Sequence, residues 1–219
     1  MSRLQKQSGL TLCEGYGQTE TTLLLANFRG MASKDGSLGQ PSPMYQIELL
    51  GRDGKPVPDG ELGEVCVVPK DGKRPLGIFC AYLDNEEKYQ EVWRGGVYHT
   101  GDAAYMDENG RYWFCGRFDD IIKTGGFRVG PYEVEHVLME HPAVAECSVV
   151  GVPDVFRGQA IKAVVVLERE IRVFCNQKLA EYKWIRTIEF VAELPKTISG
   201  KIKRAALRNQ RKPLAEQGT

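Results

Sequence analysis

The stretch from Gly116 to Gly130, GRFDDIIKTGGFRVG, constrains this chain more than any other. Two aspartates follow an arginine, and a lysine and a threonine lead into paired glycines and a second arginine. Charged residues at that density are not core material. The sequence also changes character here. Before the stretch, short apolar–polar alternations are separated by turn formers. After it, helical and strand periodicities take turns. This predicts two domains, 1–117 and 118–219, with the boundary between Arg117 and Asp119.

The first half reads as β-rich. MYQIELLG alternates, RDGKPVPDG is full of turn formers, and ELGEVCVV follows, which predicts a hairpin with a long loop. DNEEKYQEVW is a short helical patch, and AAYMDENGRYWFCG is a second hairpin turned at Glu108-Asn109-Gly110. In the second half, Pro131 opens a helix, where its missing N–H costs nothing. Val134, Val137, Leu138 and His141 fall on one face of that helix. AVAECSVVGVPD and AIKAVVVL are strand-like. EREIRVFCNQKLAEY is helical, with Ile171, Phe174, Cys175 and Lys178 or Leu179 on one stripe. RTIEFVAELP is a further strand and AALRNQRK a short terminal helix. The order strand–helix–strand–strand–helix–strand predicts an α+β domain of about 100 residues. At Leu167-Glu168 the strand runs into the helix without turn residues, so one of them must be shortened.

The bulk properties exclude more than they identify. Of 219 residues, 42% are apolar and 26% charged, with a formal net charge of +0. That balance suits a folded domain and implies no overall attraction to nucleic acid or to a membrane surface. Six cysteines are scattered without a CxxC pair, so neither zinc spacing nor a disulfide framework is visible, and a reducing compartment is the simplest setting. No apolar run reaches spanning length. The N-terminal MSRLQKQSGLTLCEGYG has neither the apolar stretch of a secretory signal nor the arginine-rich length of a transit peptide. The three histidines are dispersed, and no triad or metal cluster is legible.

Four polar constellations remain. In GYGQTETT, Thr19 and Glu20 sit at a glycine-freed bend, where a hydroxyl beside a carboxylate suits a phosphate and its magnesium. The same residues also suit a turn with a capping threonine. In YHTGD, Asp102 follows a glycine and can accept from a vicinal diol, or close an Asx turn. In the opening stretch, Arg117 is a fixed cation suited to ribose or phosphate. Gly125 and Gly126 allow close ligand approach, or simply a bulge or hairpin turn. In LPKTISGKIKR, Lys201 lies behind a serine–glycine joint on a surface loop, placed to neutralise charge developing on a phosphoryl group. It also belongs to a basic tail: from Lys196 to Lys212 there are seven Lys or Arg and no acid. That tail raises nucleic-acid binding, which the missing aromatics and the neutral net charge oppose.

Taken together, GYGQTETT, YHTGD, GRFDDIIKTGGFRVGPYEVE and LPKTISGKIKR, in this order, closely resemble the C-terminal half of an adenylate-forming acyl-CoA synthetase. The connecting ANFRGM, GQPSP and HPAVAECSVVGVPDVFRGQAIKAVVVL are similar too, most of all to the medium-chain branch. The resemblance implies an α/β to α+β chain: a β-rich, barrel-like remnant of a large AMP-binding domain, then the small C-terminal domain. It implies a reaction of ATP and a carboxylic acid to acyl-adenylate and pyrophosphate, followed by CoA displacing AMP, with the small domain rotating between steps. Carried over, Thr19 contacts the α-phosphate, Glu20 holds Mg²⁺, and Asp102 and Arg117 bind the ribose. Asp119 is the hinge, and Gly125, Gly126 and Arg128 lie on the CoA side. Lys201 is the adenylation lysine.

The family's upstream phosphate loop, its lysine and most of the acyl pocket have no counterpart in these 219 residues. The expectation is therefore a fragment or short form that does not complete adenylation alone, because catalysis needs the whole preorganised site. A non-catalytic nucleotide- or CoA-binding short form is the alternative. No nucleic-acid partner is expected. The branch implies the mitochondrial matrix, and the lack of an import signal here implies the cytoplasm for the chain as it stands.

Overall fold

In a computed structural model, residues 7–10, 13–31, 34–166 and 171–209 are described. They fall into two compact units, Met1–Phe118 and Asp119–Thr219.

The first unit is built of antiparallel strands. β1 (Gly15–Gly17), β2 (Leu23–Ala26) and β3 (Gln40–Pro41) make a small sheet in chain order. β4 (Gln46–Leu50), β5 (Gly63–Val68), β6 (Tyr98–Met106) and β7 (Tyr112–Arg117) make a four-stranded meander. An isolated bridge from Gly39 to Tyr112 links the two sheets. The expected hairpins β4–β5 and β6–β7 both form. Asp107 closes the second turn, its Oδ1 accepting from the Asn109 and Arg111 amides at 2.9 and 3.0 Å. Helix α1 (Glu86–Val92) is capped by Asn85, whose side chain accepts from the Lys88 amide at 3.0 Å. Leu24, Leu25, Tyr45, Ile47, Leu49, Val65, Val67 and Tyr98 are members of one buried cluster.

In the second unit the Gly125-Gly126 pair takes the hairpin turn that was one of its two readings: β8 (Ile122–Thr124) pairs with β9 (Phe127–Val129) across it. Both glycines have positive φ, 55° and 86°, as a two-residue primed turn requires. α2 (Pro131–Met139) starts at the expected proline but ends before His141, which instead receives the Val144 amide in the following turn. The nine-residue strands β10 (Glu146–Asp154) and β11 (Gly158–Val166) pair along their whole length. β12 (Thr187–Phe190) adds to β11 in parallel, and Thr124 of β8 meets Gly158 at its other end. α3 (Ile171–Lys178) precedes β12, and α4 (Arg204–Asn209) follows it. The strand–helix junction at 167–170 and the end of the expected terminal helix, 210–212, lie outside the described residues.

The alternation of β10 and β11 explains the layering. Cys147 and Val149, with Ile161, Ala163 and Val165, face a core that includes Val134 and Leu138 of α2 and Cys175 of α3. Val150 and Val164 point the other way and bury against Leu194 and against Leu207 of α4. The sheet therefore has helices on both faces.

Candidate functional site

The β1–β2 connection decides between two roles for its threonines. The Gln18 amide donates to Thr21 Oγ1 at 2.9 Å, and the Thr21 amide to the Gln18 carbonyl at 3.1 Å. Thr21 thus does the capping, and Thr19 is left exposed beside it. Glu20 is half-buried, and its Oε1 accepts from the Tyr82 hydroxyl at 2.9 Å. Burial, and then the Glu20 carboxylate, push the Tyr82 phenol up to about 12.

Asp102 and Arg117 are direct partners across β6 and β7. Arg117 Nη1 donates to Asp102 Oδ1 and to the Thr100 carbonyl, both at 3.0 Å. Asp102 Oδ2 accepts from the Tyr16 hydroxyl and from Gln18 Nε2, both at 2.7 Å. Gln18 is fixed in turn, donating to the Thr100 carbonyl at 2.9 Å and accepting from the Tyr98 hydroxyl at 3.0 Å. A carboxylate has about four acceptor positions. Among the described residues three are used, which leaves one, on the oxygen facing Arg117. Burial first, then the Asp102 charge, raise Tyr16 well above the usual phenol range, so it stays a neutral donor. A buried acceptor beside a half-exposed guanidinium offers both an acceptor and a donor at one surface.

Thr19, Glu20, Asp102 and Arg117 thus share one unit, with Asp102 and Arg117 in direct contact. Tyr16, Gln18, Tyr82 and Tyr98 were not singled out from the sequence. For Tyr16 and Gln18 the signal was present, since both lie inside GYGQTETT. Tyr98 likewise opens YHTGD, whereas Tyr82 carries no such signal, because only the fold brings it near.

Asp119, Gly125, Gly126, Arg128 and Lys201 belong to the other unit. Asp119 is exposed in a short 3-10 turn, Phe118–Asp120. Its neighbour Asp120 pairs with Arg204 at 3.8 Å and with Arg208, both on α4. The Gly125-Gly126 turn is tethered by the Gly125 amide, which donates to the Arg157 carbonyl at 3.0 Å. Phe127 stacks on Tyr182 with ring centroids 4.2 Å apart. Lys123 and Arg128 are exposed and directly opposed across the hairpin. Like charges so placed repel, and a bound anion relieves them. Lys201 is exposed at the end of a hydrogen-bonded turn. Its amide donates to Thr197 Oγ1 at 3.0 Å, its carbonyl accepts from the Thr197 amide at 2.8 Å, and Lys196 bridges to Ile202 around it.

The fold also brings together one acid–thiol–imidazole cluster that the sequence analysis did not single out. Ligating atoms of Glu64, Cys66 and His99 lie within 4.8 Å of one another. They are neighbours only because β5 pairs with β6, which their sequence spacing could not disclose.

Comparison with known proteins gives a consistent picture. The AMP-binding enzyme family model matches residues 1–69, and that of the AMP-binding enzyme C-terminal domain matches residues 133–201. The chain is 46% identical to the mitochondrial acyl-coenzyme A synthetase ACSM3 of Rattus norvegicus, over 96% of this chain and 38% of the relative. It is 49% identical to 4-hydroxybutyrate–CoA ligase 1 of Metallosphaera sedula, over 95% and 38%. Among solved structures, the anthranilate CoA ligase AuaEII in complex with anthranoyl-AMP superposes with a TM-score of 0.79 at 39% identity, over 94% of this chain and 40% of that one. A benzoate CoA ligase from Burkholderia xenovorans LB400 gives 0.74 at 37%, over 94% and 42%. The chain thus spans 38% of the length of these two curated relatives.

Proposed function

Since the chain belongs to the adenylate-forming, AMP-binding enzymes, we propose that it is the C-terminal portion of an acyl-CoA synthetase. The whole protein would convert a carboxylic acid, ATP and CoA into acyl-CoA, AMP and pyrophosphate. The Asp102–Arg117 clamp carries this reading. Its remaining acceptor and its half-exposed guanidinium take the two ribose hydroxyls. Thr19 faces the α-phosphate. Glu20, anchored through one oxygen by Tyr82, has the second oxygen for Mg²⁺. A hard cation of that kind takes a carboxylate together with phosphate oxygens and neutralises their charge.

In the second unit Lys201 stabilises the negative charge of adenylation. Asp119 is the hinge between domains 1–117 and 118–219. Gly125, Gly126 and Arg128 form the CoA-side surface, and the opposed Lys123 and Arg128 favour an anionic ligand there. A mitochondrial matrix setting accords with the mitochondrial names of the mammalian relatives.

Adenylation is the property of the longer protein in this reading, and the 219-residue chain does not complete it alone; nucleotide binding without turnover is the alternative. Carboxylate-dependent ATP–pyrophosphate exchange tests it, with butyrate, hexanoate, octanoate and benzoate in turn. No exchange from folded chain is expected. Exchange that disappears in Lys201→Ala would show that these residues suffice for adenylation.

A further inference from the structure

We propose that Glu64 is a positioning residue for the nucleotide clamp: it holds the widened part of β6 in the shape that aims Asp102 and Arg117, with His99 and Arg94 as its partners. This inference rests on the nucleotide reading of those two residues.

The pairing of β5 with β6 shifts register between Glu64 and Cys66. Glu64 pairs with Ala103 and Cys66 with His99, so Val65 alone of β5 faces Thr100, Gly101 and Asp102 of β6. A bulge of this kind leaves backbone groups without ladder partners, and buried ones must find others. Thr100 Oγ1 supplies two contacts, donating to the Val65 carbonyl at 2.7 Å and accepting from the Asp102 amide at 3.1 Å. Glu64 supplies the third: its Oε1 accepts from the Gly101 amide at 2.9 Å.

A carboxylate is an expensive way to fill a strand interior, and Glu64 is only 3% exposed. Its other oxygen is accordingly paired twice, with Arg94 at 2.8 Å and with His99 Nδ1 at 2.9 Å. Burial alone would push its carboxyl up. His99, Arg94 and the Gly101 amide outweigh that and hold it below the ordinary value. Coupling to the clamp is direct. Gly101 sits at a φ of 70°, and the Arg117 guanidinium lies against its α-carbon. Asp102 is the next residue. Gly101 cannot shift without disturbing both.

A metal ion is the competing use of Glu64, Cys66 and His99. Arg94 argues against it, because its charge already occupies the oxygen that His99 shares. Burial also pushes the Cys66 thiol far up, away from the thiolate a metal needs.

The test compares the 219-residue chain with Glu64→Ala, Glu64→Gln and Asp102→Asn, reading amide hydrogen exchange by NMR and AMP affinity by calorimetry. Glu64→Ala should speed exchange at Gly101 and Asp102 by about tenfold or more, leave Val65 and Val67 at wild-type rates, and weaken AMP by about tenfold. Glu64→Gln keeps an acceptor for Gly101 and should restore both readouts. Exchange that rises equally along β5, or not at all, would overturn the proposal. So would wild-type AMP affinity in Glu64→Ala alongside lost affinity in Asp102→Asn. If no chain binds AMP, the nucleotide reading has failed. Exchange then decides the brace alone: local release at Gly101 supports it, and unchanged rates overturn it.

Discussion

A methyl group added to Gly101 would come within 2.3 Å of an Arg117 Nη atom. The backbone there has a φ of 70°, a region that costs a non-glycine residue about 1–2 kcal/mol. Arg117 is long and half-exposed, so it can move aside, but only by leaving Asp102. Gly101→Ala should therefore lower stability by about 1–2 kcal/mol and weaken AMP binding beyond what partial unfolding explains. Urea denaturation and calorimetry on the same sample separate the two effects. Glu64 predicts a pH dependence. Its folded pKa lies below the ordinary 4.5, so the unfolded chain takes up its proton first as pH falls. The stability it contributes is complete above that value and disappears as pH drops through the folded pKa. Glu64→Gln should flatten this part of the stability curve, measured by urea midpoints from neutral to acid pH.

α4 has six residues, too few to hold a helix unaided. It persists because Leu207 is buried against Val150 and Val164 and because its arginines are paired. Arg204 lies 2.8 Å from Glu135 of α2, and Arg208 pairs with Asp120. The same contacts anchor the Lys201 turn, which runs directly into α4. Asp120→Ala would leave Arg208 unpartnered and Arg204 with Glu135 alone. The expected loss is about 2 kcal/mol, below the figure for a fully buried pair because Arg208 is 32% exposed. The urea midpoint followed by Trp184 fluorescence, in the same unit, measures it. Elements like α4 show what a sequence discloses. Strands and helices with strong periods, such as β10, β11 and α2, could be read directly. At Gly125-Gly126 the turn could be read as an option, but its flanking strands were hidden because three-residue strands carry almost no period. Thr19, Glu20, Asp102, Arg117 and Lys201 stood out only as motifs, while the partners that fix them did not. Tyr82 reaches Glu20 through loop packing, Tyr98 reaches Gln18 through sheet pairing, and Glu64 reaches Gly101 through a bulge. None of these follows from residue spacing.

At the scale of the whole chain, each unit buries its own apolar cluster and its own thiols. Cys66 and Cys115 are buried in the first unit, and Cys147 and Cys175 in the second. Burial pushes the Cys147 and Cys175 thiols up to about 12 and about 11, so both inaccessibility and the neutral form protect them. Cys13 and Cys80 are exposed. Iodoacetamide at mildly alkaline pH should therefore label Cys13 and Cys80 in the native chain and spare the other four. A urea series then reads the two cores separately within one molecule. A domain with its own core has what independent cooperative unfolding requires. Cys66 and Cys115 should become reactive at one midpoint, and Cys147 and Cys175 at another. Asp120→Ala should lower only the second midpoint. Coincident midpoints, shifted together by that substitution, would mean that the two cores cooperate as one. The hinge assigned to Asp119 would then have to bend within a single cooperative unit.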